Sequence, residues 1–247
     1  MVTIKSDREI ELMREAGKIL AEMHNIVKDF IKPGVTTYEI DECALKALKK
    51  HNATPSFYKL YDFPGHVCIS INDEVIHGIP SKHRYLQDGD IVKVDAGACY
   101  KGYHSDATRC HLVGDVKEDI KALVKHTEES FFEAVKQCVV GNHICDIGKT
   151  IEAYVTRYGY SVVEDYVGHG IGKDVHEDPD VPNYEMTNKG NLLRKNMTLA
   201  IEPMVNLGSY EVYVDEKDDW TVKTVDGKCS AHYENTVLIT DNGPEIL

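Results

Sequence analysis

The stretch 91–108, IVKVDAGACYKGYHSDAT, decides the fold, because two strand-like runs lie on either side of a polar pair at 101–102. A two-residue connection of this kind is typical of a β-hairpin. Pairing residues outward from the connection sets Gly97 opposite Asp106 and puts Asp95 on the same face, diagonal to Asp106. The spacing therefore predicts two converging carboxylates on one face of a hairpin.

These two acidic residues need a local explanation, because aspartate is a poor strand former. Two ionised carboxylates about 5 Å apart repel each other by roughly 3 kcal/mol at an effective dielectric constant of about 20. A shared proton, a nearby base or a metal ion would offset that repulsion, and the small residues at 96–98 leave room for an ion. Two solvated acids on an exposed face are the alternative when the hairpin is taken alone.

A faint internal repeat extends the pattern into the second half of the chain. Gly34 corresponds to Gly141 with an offset of 107 residues (141 − 34 = 107), and the same offset relates Asp95 to Glu202. Two halves that each offer a carboxylate at the same place on a strand indicate a pseudo-twofold α+β domain with a site between the halves. Chance similarity between two helix–strand segments is the alternative.

Helix and strand signals surround the hairpin. Ser6 with Glu9 and Thr36 with Glu39 form capping-box patterns, and apolar residues at helical spacing follow each of them. The patterns predict helices from the first cap to Phe30 and over 38–50, 117–140 and 145–158, and strands over 67–71, 91–99, 197–205 and 231–240.

Three histidines are candidates for a functional site. His169 lies between glycines in GHGIGKDVHEDP, and His176 follows seven residues later. In SINDEVIHGIP, a turn at 72–73 would fold the strand back and bring His77 next to a glycine. A lone histidine such as His169 or His176 is more often a hydrogen-bonded polar residue than a ligand, although two of them in one glycine-rich stretch favour a functional role. For His77 the two interpretations have equal weight.

Two glutamates occur in apolar surroundings. Glu202 ends an apolar strand in AIEPM and is followed by Pro203, while Glu234 lies within the apolar and aromatic strand AHYENTVLI. A buried carboxylate must be paired, hydrogen-bonded or coordinated. Both residues are therefore candidates for a metal ligand, a base or a capping group.

Composition excludes several classes of protein. The 247 residues carry a net charge of −13, which argues against a nucleic-acid binder. Seven cysteines without a C-x-x-C pair indicate neither a disulfide framework nor a zinc ribbon. The chain has no apolar run long enough for a membrane span and no signal-peptide pattern, so we expect a cytoplasmic protein with reduced thiols.

Together these segments resemble the methionine aminopeptidases. SINDEVIHGIP, VDAGACYKGYHSDATR, GHGIG followed by HEDP, AIEPM and YENTV occur in the family's order and span essentially the whole chain. The short interval between His169 and Glu202 is similar to the type I subgroup. The resemblance implies the pita-bread (creatinase/aminopeptidase-like) fold, an α+β pseudo-twofold sandwich of curved antiparallel sheet covered by helices. It implies one catalytic domain over 1–247, with halves of about 1–115 and 116–247.

The resemblance also implies a dinuclear metal centre. Asp95 and Asp106 would bind one ion together. Asp106, His169 and Glu202 would bind the other, and Glu234 would bridge the two. Four carboxylates and one imidazole without a thiolate favour two divalent ions of Co, Mn, Fe(II) or Zn. Such a centre hydrolyses the peptide through a metal-bound hydroxide.

The same resemblance gives three residues a role in catalysis. Glu202 would act as general acid and base, His176 would donate to the developing oxyanion, and His77 would contact the substrate amide. The implied reaction removes the initiator methionine from nascent proteins, preferably when the second residue is small and uncharged.

The implied methionine pocket departs from the family pattern at two positions. Phe57 stands where a cysteine is frequent, and Val175 stands where a phenylalanine is usual. A pocket that gains one ring and loses another keeps its volume, so we expect methionine preference to persist. The expected pocket residues are Phe57, Leu60, Phe63, Cys68, Val175 and Trp220.

The expected partner is the N-terminal methionine of nascent polypeptides near the ribosome, bound by a monomer that contacts neither nucleic acid nor membrane. Two alternatives stay open. A proline-directed peptidase, such as prolidase or aminopeptidase P, shares the fold and the five ligands but usually carries an additional N-terminal domain. A non-catalytic pita-bread binding module would have lost metal ligands, whereas this chain keeps all five.

Overall fold

The computed structural model describes residues 1–247 and contains four long helices. Both predicted capping boxes are confirmed, because the side chains of Ser6 and Thr36 each accept a hydrogen bond from the backbone three residues later. The helices are α1 (Asp7–Phe30), α2 (Thr37–Lys50), α3 (Glu118–Val135) and α4 (Ile144–Thr156), and a short 3-10 turn covers Leu60–Asp62.

Fifteen short strands, all paired antiparallel, form the sheets between the helices. The first half is built on the order β1-β4-β2 with β5 beside β4, and the second half on β15-β14-β9-β7-β8. The strands are β1 (Thr54–Pro55), β2 (Cys68–Ile71), β3 (Glu74–Ile76), β4 (Ile91–Tyr100), β5 (Tyr103–Leu112), β6 (Ser161–Val162), β7 (Gly168–Gly170), β8 (Glu177–Val181), β9 (Thr198–Ile201), β10 (Met204–Asn206), β11 (Val212–Val214), β12 (Val222–Thr224), β13 (Ser230–His232), β14 (Asn235–Thr240) and β15 (Gly243–Ile246).

The hairpin formed by β4 and β5 has the predicted register. Gly97 pairs with Asp106 and Asp95 pairs with Thr108, so the two aspartates are diagonal neighbours. The turn residues at 101–102 both have positive φ, 51° and 84°, as a type I′ hairpin turn requires. Local turn chemistry therefore fixes the relation between the two carboxylates.

Backbone contacts recur with the offset of the internal repeat. Thr36 forms an isolated bridge with Tyr85, and His143 forms the same bridge with Leu192, 107 residues later in each position (143 − 36 = 192 − 85 = 107). The same offset relates two hydrogen bonds, Gly34 N to Leu86 O at 2.8 Å and Gly141 N to Leu193 O at 3.1 Å.

Two predicted strands are interrupted, and each interruption contains a glutamate. The segment 197–205 divides into β9 and β10 around Glu202, because Pro203 has no N–H with which to continue the ladder. The segment 231–240 divides into β13 and β14, so the placement of Glu234 inside a strand was wrong. Both glutamates therefore lie at positions where the backbone has left its β-sheet.

The third helix is shorter than its apolar pattern predicted. It ends at Val135 rather than near residue 140. The chain has to turn here, because Gly141, with a φ of 97°, donates its N–H to the carbonyl of Leu193. Val139 and Val140 extended the apolar pattern in the sequence without continuing the helix.

Each half has its own apolar core. In the first half α1 and α2 cover β4 and β5, and in the second half α3 and α4 cover β9 and β14. Each core has about twenty buried residues, and the sheets lie between the two helical layers. None of the helices combines the length and the apolarity that crossing a membrane would need.

Candidate active site

A cavity of about 450 Å³ lies where residues from the two halves meet. All the residues predicted for the metal centre, for catalysis and for the substrate pocket are present in its wall, apart from Val175, which belongs to the same buried cluster as Phe57, Phe63 and Cys68. The predicted residues that line the cavity are Phe57, Leu60, Phe63, Cys68, His77, Asp95, Asp106, His169, His176, Glu202, Trp220 and Glu234.

The two aspartates of the hairpin form one wall of the acidic part of the cavity. Burial raises the pKa of Asp95 to about 7, although Thr108 opposes this shift with a hydrogen bond. Burial and the neighbouring Asp95 together raise the pKa of Asp106 well above its usual value. One oxygen of each carboxylate is buried without a hydrogen-bond partner. The pair is therefore incompletely satisfied by the protein alone.

The two glutamates complete the acidic cluster from the second half. Glu234 is held by Thr108, whose backbone exchanges two hydrogen bonds with it and whose hydroxyl donates to Oε2 at 2.9 Å. Its Oε1 is buried without a partner. Burial, followed by the charges of the other acids, raises the pKa of both Glu202 and Glu234 well above the usual value. Four carboxylates thus share one small volume.

His169 is in the tautomer that a metal-binding histidine adopts. Its Nδ1 lies 2.9 Å from the carbonyl oxygen of Gly170, which can only accept, so Nδ1 carries the proton and Nε2 keeps its lone pair. That Nε2 lies 3.5 Å from Oε1 of Glu202. Burial lowers the pKa of His169 to about 4, so the imidazole is neutral at pH 7. A neutral imidazole with a free lone pair is the form that binds metal ions.

The donor set fits a divalent cation. Ligand atoms of Asp106, His169 and Glu234 lie within 4.8 Å of one another, and a second such group joins Glu202, His232 and Glu234. Unpartnered buried carboxylate oxygens are the expected sign of an ion-binding site. Hard oxygen donors with imidazole suit Mn, Fe, Co or Zn, and they do not choose among them.

His77 and His176 both line the cavity. His77 has a φ of 61°, and its ring meets Tyr166 and Trp220 edge-on at 5.7 and 6.1 Å between centroids. The next residue, a glycine, has no room for a Cβ, which would lie 2.1 Å from a backbone oxygen of β2. Burial lowers the pKa of both imidazoles, that of His77 to about 4, so each offers a neutral N–H.

The apolar side of the cavity contains the residues that were predicted for the substrate pocket. Phe57, Phe63, Cys68 and Val175 pack as one buried cluster, with Leu60, Ile79 and Trp220 against it. The Phe57 ring and the small Val175 side chain belong to the same cluster. Trp220 meets Phe63 edge-on at 5.2 Å and closes one side.

Several residues of the site were missed in the sequence. His232 lies 3.7 Å from Glu202 and 4.0 Å from Glu234, and Thr108 holds Glu234. The period of a strand would have placed His232 on the face of Glu234, two residues on, but nothing in the sequence indicated its approach to Glu202. Tyr166 and Glu177 also line the cavity; Glu177 directly follows His176 in the HEDP segment, whereas the segment of Tyr166 carried no comparable pattern.

Comparison with known proteins agrees with this geometry. Residues 11–241 match the model of metallopeptidase family M24. The chain is 54% identical over its full length to the methionine aminopeptidase of Clostridium acetobutylicum and covers 98% of it. The crystal structure of methionine aminopeptidase from Thermotoga maritima matches with a TM-score of 0.97 and 43% identity, covering 100% of this chain and 98% of that one.

A prolidase is a more distant match. The Pyrococcus horikoshii prolidase structure gives a TM-score of 0.79 at 26% identity, and the match covers 98% of this chain but only 62% of the prolidase. The chain therefore matches the methionine aminopeptidases over nearly their full length, whereas it matches only part of the prolidase. The chain belongs to metallopeptidase family M24, and within that family to the methionine aminopeptidases with the pita-bread fold.

Proposed function

We propose that this enzyme removes the N-terminal methionine of polypeptides, preferably when the second residue is small and uncharged. The observation that carries the proposal is that one cavity contains both an acidic cluster and an apolar surface. Four carboxylates and a neutral imidazole lie beside an apolar pocket built from Phe57, Phe63, Cys68 and Trp220. The pocket offers an unbranched apolar side chain a dry surface, and the acidic cluster attracts an α-ammonium.

We propose two divalent metal ions per chain. Asp95 and Asp106 would hold one ion, Glu234 would contact both, and Asp106 would also hold the second with His169 and Glu202. The unpartnered carboxylate oxygens and the lone pair of His169 support this assignment. When bound, the ions would polarise the scissile carbonyl and lower the pKa of water.

The roles of the side chains follow from their protonation. The raised pKa of Glu202 suits a group that takes a proton from water and returns it to the leaving nitrogen. The neutral His176 would donate its N–H to the carbonyl oxygen as that oxygen becomes negative. His77, held rigidly by the aromatic contacts of Tyr166 and Trp220, would contact the substrate amide and fix its orientation.

We further propose that residues 1–247 act as one catalytic domain with two structurally related halves, about 1–115 and 116–247. The bridges and hydrogen bonds that recur at an offset of 107 residues support this division (143 − 36 = 107). The proposed setting is the cytoplasm, where a monomer would meet nascent chains near the ribosome without binding nucleic acid.

The test is hydrolysis of Met-Ala-Ser by metal-stripped protein titrated with Co, Mn, Fe(II) and Zn. We expect turnover to appear on metal addition and to saturate at two ions per chain. An Xaa-Pro peptide is the comparison substrate, and faster turnover of that peptide would favour a prolidase-like function instead. Absence of metal binding altogether would favour a non-catalytic binding module.

A further inference from the structure

A second cavity, of about 340 Å³, lies beside β5 and next to the metal cluster, because His232, which is 3.7 Å from Glu202, also lines it. Strand alternation sends Asp106 and Thr108 toward the cluster and Arg109 and His111 toward the opposite face. Residues of α1 and α3 form much of the remaining wall, together with Cys110, His232 and Tyr233, so one helix from each half contributes to the cavity. Nothing in the proposed reaction uses this space.

The charges around the second cavity contrast with those of the chain. Lys28 and Arg109 are permanent cations in its wall, and three histidines lie beside them. Glu128 is the only carboxylate there. In a chain with a net charge of −13, such a cavity has the opposite character to the metal cavity. Its field favours an anion.

Two of its histidines are buried with unsatisfied ring nitrogens. His24, 4% exposed, donates from Nε2 to the carbonyl oxygen of Ala107 at 2.9 Å, so Nδ1 carries a lone pair without a partner. His111, 9% exposed, has an unpartnered Nε2. Burial, with Arg109 next, lowers the pKa of both, that of His111 to about 4. Native proteins seldom leave such atoms without a partner.

We propose that this cavity is a binding site for a small oxyanion that carries its own hydroxyl proton, of which hydrogen phosphate is the type. Its charged oxygens would accept from the Lys28 ammonium, from a free N–H of Arg109 and from the imidazole N–H of His111. Its hydroxyl would donate to Nδ1 of His24. Each group then has a partner of the correct polarity, and the hydrogen bonds to charged groups are strong.

A metal ion is a poorer occupant of this cavity. The two permanent cations would repel it, and the imidazoles and the thiol of Cys110 do not form a group of three close ligand atoms, as the residues of the active site do. Sulfate and chloride would satisfy the cations but cannot donate to His24 at neutral pH. The proposal therefore predicts that the cavity binds hydrogen phosphate more tightly than it binds sulfate or chloride.

The choice of variant follows from the other contacts of the wall. Arg109 donates to the carbonyl oxygen of Glu234 at 2.6 Å, so replacing it would disturb the metal cluster. Lys28 is exposed at the cavity edge on α1, and Lys28→Met should fold normally. Lys18→Met, on the same helix but outside the cavity, is the matched control, because the Lys18 side chain is 71% exposed.

The experiment is a titration of the metal-loaded protein with inorganic phosphate, followed through the imidazole NMR signals of His24, His111 and His169. We expect the signals of His24 and His111 to shift saturably, and sulfate to bind about tenfold more weakly. Lys28→Met should weaken phosphate binding about tenfold, since it removes a charge-assisted hydrogen bond, while Lys18→Met leaves it unchanged.

Three results would overturn the proposal. A shift confined to His169 would place phosphate at the metal centre alone. Equal affinity of Lys28→Met and the unmodified protein for phosphate would show that the Lys28 ammonium does not contribute to the site. Equal binding of sulfate and phosphate would show that the lone pair of His24 selects nothing.

Discussion

The ammonium of Lys5 lies 2.6 Å from Oε2 of Glu177, in an ion pair whose side chains are only 5% and 10% exposed. The other oxygen of Glu177 accepts hydrogen bonds from the backbone N–H groups of Lys173, at 2.8 Å, and Asp174, at 3.3 Å. This single carboxylate therefore joins the N-terminal segment to the loop that carries His176. Glu177, which orders the loop, is thus itself held by a residue near the N-terminus, Lys5.

Lys5→Met should lower the free energy of unfolding by about 3 kcal/mol, because it leaves the buried Glu177 carboxylate without its cation. Turnover of Met-Ala-Ser should fall several-fold, because the loop of His176 loses its anchor. Urea unfolding and steady-state kinetics measure the two effects. Lys18→Met is the control, and its exposed ion pair should change stability by less than about 1 kcal/mol. Equal effects of the two substitutions would contradict the anchoring role.

Glu202→Gln should reduce turnover of Met-Ala-Ser by at least about a hundredfold, because the amide cannot shuttle a proton. The same substitution should raise the thermal midpoint of the metal-free protein, since a neutral amide replaces one of four crowded, buried acidic groups whose ionisation is unfavourable. Activity and stability would thus change in opposite directions. The exposed Glu216→Gln, matched in chemistry, should alter neither quantity. A metal-free Glu202→Gln protein that is less stable than its parent would argue against crowded charges at this position.

Removal of metal should make stability depend on pH in an unusual direction. The pKa of Asp95 rises from an ordinary 3.8 to about 7 in the folded metal-free protein. A carboxyl whose folded pKa is raised stabilises the fold below its unfolded pKa, and this contribution is lost as pH rises through the folded pKa. The thermal midpoint in chelator should therefore fall progressively further below that of the metal-loaded protein as the pH rises from about 4 to about 7, and the buried histidines away from the ligands contribute equally to both midpoints.

The check is a series of melting curves over that pH range, with chelator and with saturating Mn. The gap between the two midpoints should widen with pH, because bound cations keep the carboxylates ionised without repulsion. A gap that stays constant or narrows across this range would contradict the expectation.

The composition of the pocket predicts a compensating pair. Val175→Phe adds a ring to a cluster that already contains Phe57, so it should raise KM for Met-Ala-Ser about tenfold through overpacking. The double variant Phe57→Cys, Val175→Phe should recover most of that loss, because the total volume returns. KM for the two single variants and the double variant completes the cycle. Additive effects would mean that the two positions are not packed in one pocket.

The parts of the site that follow local rules were predictable from the sequence. A two-residue turn and the two-residue period of strands set Asp95 diagonal to Asp106, and the register agrees residue by residue. The carboxyl end of an apolar strand placed Glu202 correctly as well. Such relations depend only on neighbours in the chain.

The parts that depend on packing between distant segments were not predictable. His232 approaches Glu202 only because β13 ends where the backbone of Glu234 turns to bond Thr108, a residue from the other half. The pairing of Lys5 with Glu177 joins residues 172 positions apart, and neither stretch carries a local sign of it. The resemblance to a family supplied the roles of the ligands, whereas chain geometry supplied only their convergence.

The breaks in the sheets at Glu202 and Glu234 place the two glutamates where they affect how the protein unfolds. Asp95 and Asp106 belong to the first half, and the glutamates belong to the second. An ion held by both sets would act as a non-covalent cross-link across a long chain loop and would restrict the unfolded ensemble as well as join the halves. Protease resistance should accordingly report the loading of the centre, even for a variant that has no measurable turnover.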